Sequence, residues 1–180
     1  MKKNTDRLKF QMTEADELLE VIDAAKNTLM IMPRLQVLEQ GLAHKIVLIL
    51  LRNRENKIYI HKRAQGKKFA GLWSVSTAGH VLAGESFEDA ALRELDEELG
   101  ISNANLTAVA DAGPNPANGN TWVRLFISAR GQFLINPDPR EIDYGMFVDQ
   151  EELEALLTNM SELVGPSLQW AYSAYNPFNK

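Results

Sequence analysis

Residues 79–101 read Gly79-His80-Val81-Leu82-Ala83-Gly84-Glu85-Ser86-Phe87-Glu88-Asp89-Ala90-Ala91-Leu92-Arg93-Glu94-Leu95-Asp96-Glu97-Glu98-Leu99-Gly100-Ile101, and this stretch decides the fold. Ser86, with Asp89 three places on, is a helix N-cap, and Gly100 is a helix stop. The pattern therefore predicts a helix over Ser86 to Leu99. Seven acids fall between Glu85 and Glu98, with Arg93 as the single base among them. At about 100° of turn per residue, Glu94, Glu97 and Glu98 lie within one arc, while Leu92, Leu95 and Leu99 lie in another suited to a core.

Like charges four apart, such as Glu94 and Glu98, destabilise a helix by a few tenths of a kcal/mol. The plain reading of such a run is a solvated acidic face with Arg93 as a surface partner. The functional reading is a seat for a hard cation. Mg²⁺ takes carboxylate oxygens and keeps positions open for water and phosphate. Arg93, four residues before Glu97, is also placed to reach back to Glu85 and hold the preceding loop.

The flanking residues choose between these readings. The pattern Gly79-x5-Glu85-x7-Arg93-Glu94-Leu95-x-Glu97-Glu98-x-Gly100-Ile101 has seven fixed identities and two aliphatic positions, without a gap. At residue frequencies of roughly 5–8%, the identities coincide by chance at about 10⁻⁸ per start position. The stretch resembles the Nudix box in full. Weaker similarity runs from about His44 to Leu157, including Gly71-Leu72-Trp73 and Phe147-Val148-x-x-Glu151-Glu152-Leu153.

The resemblance implies an α/β (α+β) fold, a mixed β-sheet sandwiched between helices with the box as loop–helix–loop. It implies hydrolysis of a diphosphate linkage in a small molecule, commonly a nucleoside diphosphate derivative, with Mg²⁺ or Mn²⁺. By the same resemblance Glu94, Glu97 and Glu98 are the metal-binding carboxylates, joined by the backbone carbonyl of Gly79. Glu85 and Arg93 form a supporting ion pair. The general base varies in this family; Glu97, Glu98 and the later acid Glu141 are the candidates, and a solvent-facing loop acid is the rival reading for Glu141. Arg63, Arg34 and His80 are candidate substrate contacts, and Lys67 and Lys68 are further candidates for phosphate. Each also reads as an ordinary surface charge or, for His80, as a structural hydrogen bond. His44 reads as structural. Trp73 and Trp122 can stack on a base or simply pack.

A second likeness links Phe69-Ala70-Gly71-Leu72-Trp73 and Gly79-His80-Val81-x-x-Gly84-Glu85-Ser86 to the isopentenyl diphosphate isomerase branch of the same superfamily. Those isomerases need a cysteine just before the Gly-His pair, where this chain has Ala78. They also use acids on a later strand, where this chain has Asn120 and Trp122. The isomerase is disfavoured, and a non-catalytic diphosphate-binding module is the other alternative.

The rest of the chain sets bounds. It has 180 residues, 45% of them hydrophobic, which fits one globular domain. A formal net charge of −5 argues against a broad hold on DNA. The absence of cysteine removes disulfides, zinc–thiolate sites and cysteine nucleophiles. The run Ile46 to Leu51 is too short for a membrane span, which needs about 20 residues. The expectation is a soluble, cytoplasmic protein.

Residues 1–40 read as an N-terminal extension and 41–180 as the hydrolase domain. In the extension, two apolar runs around Ala25-Lys26-Asn27 form either a hairpin or part of a continuous helix from Glu14. A homodimer built through this extension is an expectation by analogy. Strands are predicted at Ile46 to Leu51, Ile58 to Arg63, Trp73 to Thr77, Leu106 to Ala110, Trp122 to Ala129 and Met146 to Val148. Loops are predicted at Gly79 to Glu85, Asn115 to Asn120 and Asn136 to Asp143. Two helices, Gln150 to Asn159 and Pro166 to Ala174, finish the chain.

Overall fold

A computed structural model describes residues 16–179. The lead-in is a hairpin, β1 (Leu18–Ile22) and β2 (Thr28–Pro33), paired antiparallel. Lys26 in its turn takes a left-handed backbone, φ 69°, and the Asp23 side chain accepts bonds from the backbone N–H groups of Ala25 and Asn27. Glu14, where the rival helix would begin, lies outside the described residues. A short helix follows, α1 (Arg34–Glu39), which the apolar runs did not predict.

The body is built from β3 (His44–Leu50), β4 (Ile58–Arg63), β5 (Trp73–Ser74), β6 (Thr77–His80), α2 (Phe87–Leu99), β7 (Leu106–Ala112), β8 (Thr121–Ser128), β9 (Ile142–Val148), α3 (Gln150–Asn159) and α4 (Pro166–Ala174). A mixed sheet has the order β6-β3-β8-β7, with β3 and β8 parallel. A second, antiparallel sheet has the order β5-β4-β9. The expected α/β architecture, with sheet held between helices, is what the described residues form, the strands divided between two sheets.

Strand β3 explains the layering. From Ile46 to Leu50 it is apolar without a break because both its faces are covered there. Leu48 and Leu50 pack with Ile58, Ile60, Leu125, Leu153 and Leu168 in a core between the sheets and the terminal helices. Val47, Ile49 and Leu51 pack on the opposite face with Leu95, Leu99 and Phe126, beneath α2.

The helix boundaries follow the sequence signals. The Ser86 side chain accepts from Asp89 N at 3.0 Å, and Gly100 closes α2 with a left-handed φ of 69°. Four spans differ from expectation. Gly79 and His80 finish strand β6 rather than begin a loop, because β3 offers a free edge that pairs Val47 with Gly79 and Ile46 with His80. The segment after Leu72 is two strands, β5 and β6. Between them the Ser76 hydroxyl donates to the Tyr59 carbonyl at 2.5 Å and accepts from Leu51 N at 2.7 Å, tying the two sheets together. Strand β9 begins at Ile142, four residues early, because β4 is long enough to pair with all of it. The Asn115 to Asn120 loop contains a capped 3-10 turn, with the Asn115 side chain accepting from Ala117 N and Asn118 N. No helix among the described residues is long and apolar enough to cross a membrane.

Leu95 is fully buried beneath α2. Leu95→Ala is expected to cost about 2–5 kcal/mol of folding stability, measured by urea denaturation, and a loss below about 1 kcal/mol would show that α2 is not seated as described.

Candidate active site

Helix α2 buries two carboxylates along with its leucines. Glu94 and Glu98 are only 9% and 7% exposed, whereas the Glu97 side chain is 60% exposed. Helical geometry accounts for the split. Glu98 lies about 40° around the helix from Glu94 on the side toward Leu95, and Glu97 lies about 60° away on the other side. The three acids expected to share one flank therefore divide into a buried pair and a rim residue.

Gly79 makes the burial of Glu94 possible. A Cβ added at Gly79 would fall 1.9 Å from the Glu94 carboxyl carbon. Any other residue would displace the Glu94 carboxylate, so in this structure the strand backbone and the carboxylate meet directly.

Arg93 ties the site together. It donates to both Glu85 oxygens at 2.9 and 3.1 Å, to Glu94 at 2.7 Å, to Glu97 at 3.0 Å and to the His80 carbonyl at 2.8 Å. Glu85 in turn accepts from Leu82 N at 3.0 Å, anchoring the loop that feeds α2. The expected Glu85–Arg93 pair is present, and the same guanidinium also bridges Glu94 and Glu97. Burial works against the Arg93 charge, yet Glu85 and Glu94 more than offset it and raise its pKa.

The buried acids are electrostatically unsatisfied. Burial, with Glu97 and Glu17 adding repulsion, raises Glu94 to about 7 despite Arg93. Burial, then Glu94 and Glu141, pushes Glu98 well above the usual carboxylate range, while Arg63 and Lys67 pull the other way.

Glu141 arrives from the opposite side. The strap before β9 is pinned to α2 by Asp138 N donating to the Glu98 carbonyl at 2.8 Å. Ala64 N then donates to the Glu141 carbonyl at 2.9 Å, and the Lys67 ammonium pairs with the Glu141 carboxylate. Arg63 donates through Nε to the Lys68 carbonyl at 2.8 Å. The fold thus brings Glu98, Glu141, Arg63 and Lys67 into one neighbourhood.

His80 and Arg34 stand on the other margin. The His80 ring stacks on His44, centroids 5.2 Å apart at 20°, rather than serving as a charged phosphate hand. Burial, with Arg34, His44 and Arg93 nearby, lowers His80 to about 3. His44 is likewise lowered by burial, and its Nδ1 lies 2.8 Å from the Leu42 carbonyl. Arg34 pairs with Glu17 at 2.7 Å. The Lys67–Glu141 pair and the influence of Glu17 on Glu94 escaped the sequence reading, because 74 and 77 residues separate the partners. Trp122 lies under the Lys26 ammonium at 3.9 Å, and Trp73 packs in the core between the sheets.

Among the described residues, no three acidic or histidine side chains converge as a ready-made cation cage. The donors nevertheless suit a hard cation. Two buried carboxylates lack sufficient positive charge, Glu97 stands exposed on the rim beside them in its ion pair with Arg93, and the strand backbone at Gly79 lies against Glu94.

A NUDIX domain family model matches residues 42–171, which include α2, Gly79, Arg63, Lys67 and Glu141. The chain belongs to the Nudix family. It is 31% identical over 152 residues to an uncharacterized Nudix hydrolase of Streptomyces coelicolor, covering 81% of this chain and 82% of that one. It is 29% identical over 181 residues to an isopentenyl-diphosphate Delta-isomerase of Streptomyces griseus, covering 85% and 90%. A crystal structure of a Deinococcus radiodurans protein has the same fold, with TM-score 0.72 at 20% identity, covering 89% of this chain and all of that one. This Nudix chain is a hydrolase of the kind that acts on diphosphate linkages in small molecules, a family that generally uses divalent cations.

Because burial holds the Glu98 pKa above its unfolded value, its ionisation opposes folding. The associated stability is complete at acidic pH and is lost as pH rises through the folded-state value. In metal-free buffer at pH 8, Glu98→Gln is expected to raise Tm by roughly 3 °C or more, and the gap should close near pH 5. Differential scanning calorimetry at the two pH values checks this; an equal or lower Tm at pH 8 would contradict it.

Proposed function

We propose that this Nudix protein is a Mg²⁺- or Mn²⁺-dependent pyrophosphohydrolase whose substrate is a nucleoside diphosphate derivative. The observation that carries the reading is the buried pair Glu94 and Glu98, short of positive charge, with Glu94 set against the Gly79 backbone. In this reading Glu94, Glu97 and Glu98 hold the cation with the Gly79 carbonyl. When bound, the cation neutralises the diphosphate and acidifies the attacking water. Glu85 keeps Arg93 in place, and Arg93 bridges Glu94 and Glu97 and offsets part of their charge. Glu141 is the candidate acceptor of the water's proton, and Lys67 orients it. Arg63, at the end of β4, is the candidate cation for the outer phosphate, since a guanidinium fork matches phosphate oxygens. Neutral His80 forms part of the floor rather than a charged contact, and Arg34 lines the far margin.

Two other readings fit less well. A non-catalytic diphosphate-binding module has no use for the complete set of box carboxylates. The isomerase reaction has no thiol where those enzymes carry one, since Ala78 packs against the apolar core. Nor are its later acids present. Asn120 is engaged with the Gly41 carbonyl at 2.9 Å, and Trp122 carries no acid.

The test is a panel of nucleoside diphosphate sugars, dinucleotides, nucleoside triphosphates and isoprenoid diphosphates, assayed with Mg²⁺ and with Mn²⁺. We expect release of a nucleoside monophosphate or phosphate from at least one member, and a drop in kcat of more than about a hundredfold for Glu98→Gln. Tight binding without turnover would favour the binding module; near-normal turnover of the variant at saturating Mg²⁺ would remove Glu98 as a ligand. For Glu141→Gln, the acidic limb of the pH–rate profile is expected to disappear, and an unchanged limb would exclude it as the base.

A further inference from the structure

Between Asp96 and Glu97 of α2 and the strap before β9 lies a cavity of about 350 Å³, walled on the strap side by Pro137, Asp138, Pro139 and Arg140. Open space separates strap from helix over this stretch, so packing does little to set the distance between them. Hydrogen bonds set it instead. The Glu98 and Leu99 carbonyls belong to the last turn of α2, where carbonyls have no partner within the helix. Asn136 N donates to the Leu99 carbonyl at 2.9 Å, and Asp138 N to the Glu98 carbonyl at 2.8 Å.

Asp138 then turns the chain toward the site. Its carbonyl accepts from Glu141 N at 3.0 Å and from Ile142 N at 2.9 Å. One residue thus joins the backbone of Glu98 to the backbone of Glu141. The order Asp138-Pro139-Arg140-Glu141 suits such a turn, with an acceptor side chain first and proline second. The Asp138 side chain closes it. Its Oδ1 accepts from Arg140 N, two residues on, at 2.9 Å. The carboxylate also accepts from the Arg140 guanidinium, at 3.0 Å from Nε and 2.6 Å from Nη2. The Asp138 side chain is 15% exposed against 72% for Arg140, so the arginine covers the carboxylate from solvent. Beyond the turn, Ala64 N donates to the Glu141 carbonyl, and Ile142 enters β9 opposite Arg63.

We propose that Asp138 is the positioning residue for Glu141, fixing it against Glu98 through this turn. The inference rests on the reading of Glu141 as the acceptor of the water's proton. A base must stay within hydrogen-bond reach of the proton it takes, about 2.6–3.2 Å between heavy atoms. A displacement near 1 Å costs up to about a hundredfold in rate. Glu141 stands on a loop, where an unrestrained backbone exceeds that margin. Lys67 restrains its side chain, and Asp138 restrains the backbone behind it.

The test is a double-mutant cycle in the full chain, on a substrate that the panel shows to be turned over. Asp138→Ala is expected to lower kcat about tenfold or more, with KM within about threefold of the unmodified chain. In the Glu141→Gln background the same substitution is expected to lower kcat less than about twofold, because no base is left to misplace. Asp138→Asn keeps an Oδ1 acceptor for Arg140 N and is expected to recover most of kcat. Without substrate, amide hydrogen exchange at Glu141 and Ile142 is expected to speed up in Asp138→Ala and not in Asp138→Asn. Equal kcat losses in the two backgrounds overturn the proposal and leave the reading of Glu141 intact. So do unchanged kcat or unchanged exchange in Asp138→Ala, or an Asn variant as slow as the Ala variant. Full turnover by Glu141→Gln alone, or no turnover of any panel member, removes the base itself and the proposal with it. If Asp138→Ala fails to fold, Asp138→Glu takes its place, since it keeps the charge but is too long to close the same turn.

Discussion

The molecule depends on α2 seating against β6 and β3 along a face that is part hydrocarbon and part carboxylate. Leu95 and Leu99 are fully buried there, and each contributes about 1.5–3 kcal/mol relative to exposure. The same seating drives Glu94 and Glu98 out of water, which costs free energy because their charge is left short of partners. The leucines hold the helix in a position that the carboxylates alone would not choose. Gly79 permits that position by having no side chain, and Arg93 limits the repulsion by touching Glu85, Glu94 and Glu97 together.

A fold selected for stability alone would not bury two like charges on adjacent turns of one helix. The missing positive charge is of the kind that a divalent cation, as the family generally uses, would supply to oxygen donors. The surroundings are arranged to the same end. Arg63 and Lys67 come from the end of β4 and its loop, and Glu141 from the strap before β9. Helix α2 lies on one sheet, and these residues come from the other. The Ser76 hydroxyl joins the sheets between β5 and β6, so the two halves of the site are held in register by a small, fully buried polar link.

Much of this was legible from residue order. The α2 boundaries followed from Ser86 and Gly100, because caps act within a few residues. Both terminal helices, and the strands Ile46 to Leu51 and Ile58 to Arg63, followed from local apolar patterning. The misjudged spans share a cause. Gly79 and His80 look like loop residues until the edge of β3 is there to pair with them, and β9 extends to Ile142 because β4 is beside it. A strand's ends are decided by its neighbour as much as by its own composition.

By itself, the order of residues determined the donor set: oxygen donors at helical spacing, a glycine ahead of them, one arginine among them and no cysteine. Those are properties of covalent order and helical pitch, so they survive without knowledge of the rest of the chain. Only the tertiary structure decided that Glu94 and Glu98 are buried while Glu97 stays wet, that Lys67 meets Glu141, and that His80 is a neutral ring stacked on His44. Burial and charge environment depend on which distant segments pack alongside, and that is set by the closing of two sheets around a shared core.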